Sequence, residues 1–326
     1  MSDLGPLFDE RFLRKLDTLS LVVRKRRTGQ FRGNRRSTKH GSSVEFADYR
    51  DYVKGDDLRR VDWNIYARLE RPFVRLFEEE EDLSVHLLLD ASLSMDWGGR
   101  SADADEGALR VHDRVDASRP TSKWVYAQRT AAALGYMALA SGDRLTVTLL
   151  RESTDGIEPP RFGPARGKGQ TLRLLRFLAE HGTSGTTDLN QTLREYSFRT
   201  HTDRGVYRPG LAILITDLFS PHGYQEGLSA LLAQGYEGIL IHTLAPEEVA
   251  PRLAGALNLV DVESGHEQSV TIDASMRALY RRRLTAWQDE TNRWCGQRGV
   301  AYVPVVTNTP FDELILFHLR RRGLVR

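Results

Sequence analysis

Three stretches of the chain place hard oxygen donors where one cation could be held. Asp90, Ser92 and Ser94 fall in Asp-Ala-Ser-Leu-Ser, directly after the apolar run SVHLLL. Two threonines, Thr186 and Thr187, sit in SGTTDL ahead of a helical pattern, and Asp217 closes the apolar run LAILIT. An Asp-x-Ser-x-Ser string is short enough to arise by chance, and each piece has a structural use. Asp90 can cap the next turn, Ser92 and Ser94 can satisfy local backbone, and a threonine can serve as a helix N-cap. Their joint placement, at the ends of two buried-strand patterns and at one helix start, points to a shared metal site. Carboxylate and hydroxyl oxygens with no His or Cys among them suit Mg²⁺, or Mn²⁺ and Ca²⁺. Octahedral Mg²⁺ takes such ligands at roughly 2.1 Å. Asp90 and Asp217 would act directly or through bound water, so an ion held here stays electrophilic, and its open position suits a carboxylate brought by a partner protein.

These residues depend on the elements that carry them. From Leu83 onward apolar runs alternate with amphipathic ones: SVHLLLD, KWVYAQRTAAALGYMALA, RLTVTLL, TLRLLRFLAEH, LNQTLREYSF, LAILITD, LSALLAQGY and GILIHTL. That βαβα order predicts an α/β fold with a mostly parallel central sheet and helices on both faces. In such sheets the ligand crevice lies at the carboxyl ends of the strands, where Asp90 and Asp217 stand. The chain continues with a hairpin or irregular edge in NLVDVESGHEQSVTI. A long helix through DASMRALYRRRLTAWQDETNRWCGQ, a strand in GVAYVPVV and a closing helix in PFDELILFHLRRRG follow. A polar segment of mixed charge, about 96–121, interrupts the first strand-to-helix connection and reads as a mobile loop.

Ahead of this domain, residues 8–27 place Phe12, Leu13, Leu16, Leu19, Val22 and Val23 at helical spacing and end in a basic turn. Residues 11–40 carry eleven Lys or Arg against one Asp, a run that could meet nucleic acid or an acidic protein but is more often a solvated face. No nucleic-acid motif accompanies it. Gly41 to Asp82 is rich in aromatic and charged residues and reads as folded, with Gly55-Asp56-Asp57 turning into a short helix, Asp57 as its N-cap, and Arg59, Arg60 and Asp62 offering ion pairs. The acidic run Glu78 to Asp82 reads as exposed. The expected division is an N-terminal extension over 1–80 and the α/β domain over 81–326.

Composition removes other classes. At 326 residues, 40% hydrophobic and 28% charged, the chain is globular, and no apolar run approaches the roughly 20 residues that span a bilayer. Its first ten residues resemble neither a secretory signal nor a transit peptide, so a cytoplasmic location is expected. The single cysteine, Cys295, rules out an internal disulfide and a cysteine metal cage, and no nucleophilic role is expected of it. There is no Walker loop, Ser-His-Asp pattern or dinucleotide loop. A metal-dependent phosphoesterase would need a base, and His222, five residues after Asp217, is the nearest candidate because His86 lies inside its strand.

Asp90, Ser92, Ser94, a threonine and Asp217 resemble the metal-ion-dependent adhesion site of von Willebrand factor A domains, which holds Mg²⁺ and an acidic residue of a ligand. That resemblance selects Thr187 over Thr186, because Thr187 lies six residues before the apolar Leu193. Upstream, HGSSVEF from His40, RDYVKGDD from Arg50, RRVDW from Arg59 and Ala67-Arg68 look like the signature of the bacterial family catalogued as domain of unknown function fifty-eight, and Phe311 to Val325 resembles that family's terminal helix. The likeness implies a von Willebrand factor A-like, Rossmann-like fold. It also implies a non-enzymatic interaction module, acting as partner or adaptor of a MoxR-type AAA+ ATPase or its client in assembly, maturation or stress response. The sequence departs from the family pattern in the length of the polar loop after Ser94, which reads as an insertion.

Overall fold

In the computed structural model the described residues are 16–17, 19–21, 45–53, 56, 58, 61–78, 83–98, 122–152, 158–203, 207–251, 255–261, 265–310 and 313–325. Most of the basic segment, the polar loop from 99 to 121, the acidic residues 79–82 and, within the upstream signature, His40 to Val44, Lys54, Gly55, Asp57, Arg59 and Arg60 lie outside them. Two compact units divide the chain: one within 26–82, the other comprising Leu83 onward together with the described residues before 26.

In the smaller unit, β1 (Glu45–Asp51) and β2 (Phe73–Glu78) pair antiparallel, with Tyr49 opposite Arg75 and Asp51 opposite Phe73. Between them lies α1 (Trp63–Leu69). Its N-cap is Asp62, whose Oδ1 accepts from the backbone N–H of Asn64 at 3.0 Å and Ile65 at 3.2 Å. Asp62, expected to offer an ion pair, caps the helix through these bonds and also accepts from the Tyr49 hydroxyl at 3.1 Å. Among the described residues of this unit, Arg50 pairs with Asp56 at 3.0 Å.

The larger unit is built on a six-stranded sheet. Its strands are β3 (Ser84–Asp90), β4 (Arg144–Leu150), β5 (Arg161–Arg166), β6 (Leu211–Thr216), β7 (Glu237–Leu244) and β10 (Ala301–Val306), in the order β10-β7-β6-β3-β4-β5. All neighbours are parallel except β5, which runs antiparallel along β4 at the edge. The sheet is mixed α/β and mostly parallel, as the alternation of apolar runs predicts. β5 went unread because RFGPAR carries Gly163 and Pro164, residues that usually end strands. An edge strand tolerates them, and the register breaks there between Leu145 and Val147.

Strand residues alternate between two cores, as a pleat requires. Val85, Leu87, Leu89, Ile213, Ile215, Ile239 and Ile241 face one apolar cluster with α2 (Lys123–Ala140) and α3 (Thr171–Glu180). Leu88, Ala212, Leu214 and Leu240 face the other, with α4 (Leu189–Thr202), α5 (Gln225–Ala233) and the end of the long α7 (Ala274–Gln297). A short helix, α6 (Pro246–Val249), follows β7. Helix α2 is buried on most of its surface, and its alanines and Gly135 allow close approach: a Cβ on Gly135 would come 2.7 Å from Leu174. Leu16, Leu19 and Leu21 join the first core beside Leu324 and Val325, with Leu21 bridged to Val325.

The segment after β7 forms an antiparallel hairpin of β8 (Gly255–Val260) and β9 (Glu267–Ile272). The closing helix is π-helical over Leu314–Leu319, not α-helical. Leu314 and Leu319, five residues apart, are both buried, a spacing that an i→i+5 turn brings to one face. No helix among the described residues is long and apolar enough to cross a membrane.

Candidate metal centre

The chain leaves β3 at Asp90, turns through Ala91 and Ser92, and enters a short 3₁₀ turn over Leu93–Asp96. Asp90 is buried, and both of its oxygens accept hydrogen bonds from neutral donors: the Ser92 N–H at 3.1 Å and the Thr216 hydroxyl at 2.7 Å. Ser92 Oγ and Ser94 Oγ lie 3.0 Å apart. The loop before α4 is zipped to this turn. Ser184 N–H donates to the Ala91 carbonyl at 2.8 Å, and Leu93 N–H donates to that of Gly185 at 3.0 Å. Gly185 supplies that carbonyl with φ +62°, a left-handed conformation that favours glycine.

Thr187 is buried, and its hydroxyl donates to the Leu150 carbonyl at 3.3 Å, the same oxygen that accepts the Ala91 N–H at 2.9 Å. Thr186 is half-buried and offers its carbonyl to Glu152. Four of the residues singled out in the sequence, Asp90, Ser92, Ser94 and Thr187, thus share one connected set of turns at the carboxyl ends of β3 and β4.

Asp217 follows β6 and is completely buried. Its Oδ1 accepts from the Phe219 N–H at 3.0 Å. Its Oδ2 accepts from Lys123 Nζ at 2.7 Å. Between them Leu218 adopts φ +63°, a strained position for a branched side chain, held by its N–H donating to Thr216 Oγ1 at 2.9 Å. Lys123, the first residue of α2, also donates to Glu248 Oε1 at 2.6 Å and lies 5.0 Å from the Phe219 ring centroid. Behind Asp217, His242 Nε2 lies 3.1 Å from the Asp217 carbonyl and Nδ1 2.7 Å from the Tyr302 hydroxyl.

Burial, and then the charge of Asp217, push the Asp90 carboxyl up to about 6, against the pull of the Thr216 and Ser92 hydrogen bonds. Burial raises the Glu248 carboxyl, opposed by Lys123. Burial lowers His242 to about 4, so it is neutral beside this charge network. A buried carboxylate destabilised by its surroundings gains from a cation, and the paired Ser92 and Ser94 hydroxyls add uncharged oxygen, so Asp90, Ser92, Ser94 and Thr187 fit a hard dication. Asp217 fits less simply, since both its oxygens are already engaged. Among the described residues no group of three or more His, Cys, Asp and Glu is placed to hold a metal, so an ion here would rest on hydroxyl oxygens.

His222 does not join the site in the described contacts. It is exposed, and its Nδ1 lies 2.7 Å from Oδ2 of Asp188, the N-cap of α4. His86 is buried, 2.7 Å from the Tyr196 hydroxyl. Sequence reasoning missed Thr216, Lys123, Glu248 and His242. A signal existed only for Lys123: a cation at the first position of a largely apolar helix, where the helix dipole disfavours positive charge.

The family described as "Protein of unknown function DUF58" matches residues 48–290. An uncharacterized protein of Mycobacterium bovis is 26% identical over 321 residues, covering 98% of this chain and 93% of that protein. An uncharacterized Mycobacterium tuberculosis protein matches with the same figures. Among solved structures, the conserved hypothetical protein BatB from Bacteroides thetaiotaomicron aligns with TM-score 0.39 at 14% identity, over 74% of this chain and 98% of that one. An aerotolerance-related membrane protein from Bacteroides fragilis aligns with TM-score 0.37 at 13% identity, over 73% and 99%.

Proposed function

Because the chain belongs to the DUF58 family of proteins of unknown function, we propose a role from the site itself: a non-enzymatic module whose Asp90, Ser92, Ser94, Thr187 and Asp217 hold one Mg²⁺ that grips an acidic side chain of a partner protein. The fold of this reading is von Willebrand factor A-like, and the partner is a MoxR-type AAA+ ATPase or its client in the cytoplasm. The observation that carries it is the Ser92–Ser94 hydroxyl pair, 3.0 Å apart and next to the buried, cation-seeking Asp90 at the carboxyl edge of a parallel sheet. When bound, the ion would supply an electrophilic position for an incoming carboxylate. The residues supply the rest: Asp90 the charge, Ser92, Ser94 and Thr187 uncharged ligands, and the 184–187 loop a fixed wall. Exposed Trp97 and Phe219, next to Lys123 through the Trp97 carbonyl at 3.0 Å and the Phe219 ring, offer apolar contact beside the acid.

The test is calorimetric Mg²⁺ titration of the wild type and of Ser92→Ala/Ser94→Ala, with capture of the candidate ATPase in the presence and absence of EDTA. Binding of one ion, lost in the double variant, with capture that requires metal, is the expected result. No heat of binding in the wild type, or capture indifferent to EDTA and to the variant, overturns the reading.

A further inference from the structure

The cluster of Lys123, Asp217 and Glu248 is the most completely buried charge network among the described residues: the Lys123 side chain is 1% exposed, Asp217 0% and Glu248 14%. An ammonium withdrawn from water is strongly unfavourable unless its hydrogens meet anionic acceptors. Lys123 has two, at 2.7 and 2.6 Å, delivered from the turn after β6 and from α6. Its position at the first turn of α2 adds a further electrostatic cost, because the helix N-terminus is itself positive. The remaining carboxylate oxygens are held as well, Asp217 Oδ1 by the Phe219 N–H and Glu248 Oε2 by the Ala245 N–H at 2.7 Å. This arrangement occupies with a side chain the place a second cation would otherwise take.

We propose that Lys123 is a tethered cation that sets the metal affinity of the neighbouring centre. By neutralising Asp217, the carboxylate whose charge bears on Asp90, it withholds that group from direct coordination, leaving Asp90 as the sole carboxylate that can touch the exchangeable ion. The hydroxyls of Ser92, Ser94 and Thr187 complete the protein's share. A centre so poor in negative charge binds its ion weakly and leaves it hungry for an outside carboxylate, which favours recruitment of an acidic partner over permanent retention of the metal. The inference rests on the metal reading above and deepens it.

Removing the ammonium frees two carboxylates, and affinity at oxygen sites rises with ligand charge. Mg²⁺ and Ca²⁺ titrations by calorimetry, with thermal unfolding in metal and in EDTA, are to be run on the full chain and on Lys123→Met, Asp217→Asn and Asp90→Asn. The expected pattern is a gain of about tenfold or more in Lys123→Met affinity, with heat stability that has become metal-dependent. Asp217→Asn then loses only a few-fold, whereas Asp90→Asn loses binding altogether. Lys123→Met/Glu248→Gln removes one of the unpaired acids. It should fold if the single variant does not, and should keep part of the gain through Asp217. No gain in either lysine variant, or loss in Asp217→Asn as complete as in Asp90→Asn, overturns the proposal. Should the wild type bind no metal while Lys123→Met does, the adhesion-type reading fails and the tethered cation stands.

Discussion

The hydroxyl of Thr216 donates to Asp90 Oδ2 at 2.7 Å while accepting the Leu218 N–H at 2.9 Å, tying the carboxylate at the end of β3 to the strained turn at the end of β6. Thr216→Val keeps the shape and removes both bonds. It leaves a buried carboxylate oxygen and a buried N–H short of partners, a loss of about 1–3 kcal/mol. Urea unfolding should register that loss, and Mg²⁺ titration should show weaker binding. An unchanged unfolding midpoint would remove Thr216 from the support of the site.

Gly185 has φ +62° and open space where a Cβ would stand. Gly185→Ala therefore meets a conformational penalty alone, about 1–2 kcal/mol, and relieving it would unzip Leu93 from the 184–187 loop. Gly182→Ala, also in open space but not left-handed, should remain within about 0.5 kcal/mol. Equal effects of the two substitutions would show that the left-handed turn does not matter to the loop.

Burial lowers His86 from 6.5 to about 4. Between those values the unfolded chain binds more protons than the folded one. The stability that depends on a neutral His86 is therefore complete above pH 6.5 and is lost as pH falls toward 4. His86→Gln should make that acid limb shallower in unfolding measured across the pH range. His242, shifted in the same direction, keeps part of the slope. An acid limb as steep as the wild type's would contradict the burial argument.

Cys295 is buried, and burial pushes its thiol up to about 12. Reactivity requires thiolate, so iodoacetamide at pH 8 should leave the native protein unlabelled by mass spectrometry and label it fully in urea. Rapid native labelling would place this helix in frequent local opening.

Much of the architecture was legible because burial on both faces of a parallel strand gives continuous apolar runs, and SVHLLL, LAILIT and GILIHTL are of that kind. β5 was illegible because its Gly and Pro mimic a loop. The capping role of Asp62 was illegible because a capping carboxylate and an ion-pairing one look alike in a chain rich in Arg. The turn residues of the site could be named from strand-end position. Their tertiary partners could not: Thr216 is one threonine among many, and Glu248 reaches Lys123 across 125 positions, a separation that local pattern does not encode.

The outer strand has a bearing on how this molecule meets others. Pro164 has no N–H to offer, and the ladder of β5 on β4 is already broken between Leu145 and Val147. A rim of that kind is a poor template for an incoming strand, which needs an uninterrupted row of donors and acceptors. On that side, sheet-to-sheet polymerisation is discouraged, and association is steered away from backbone pairing toward contacts made by side chains.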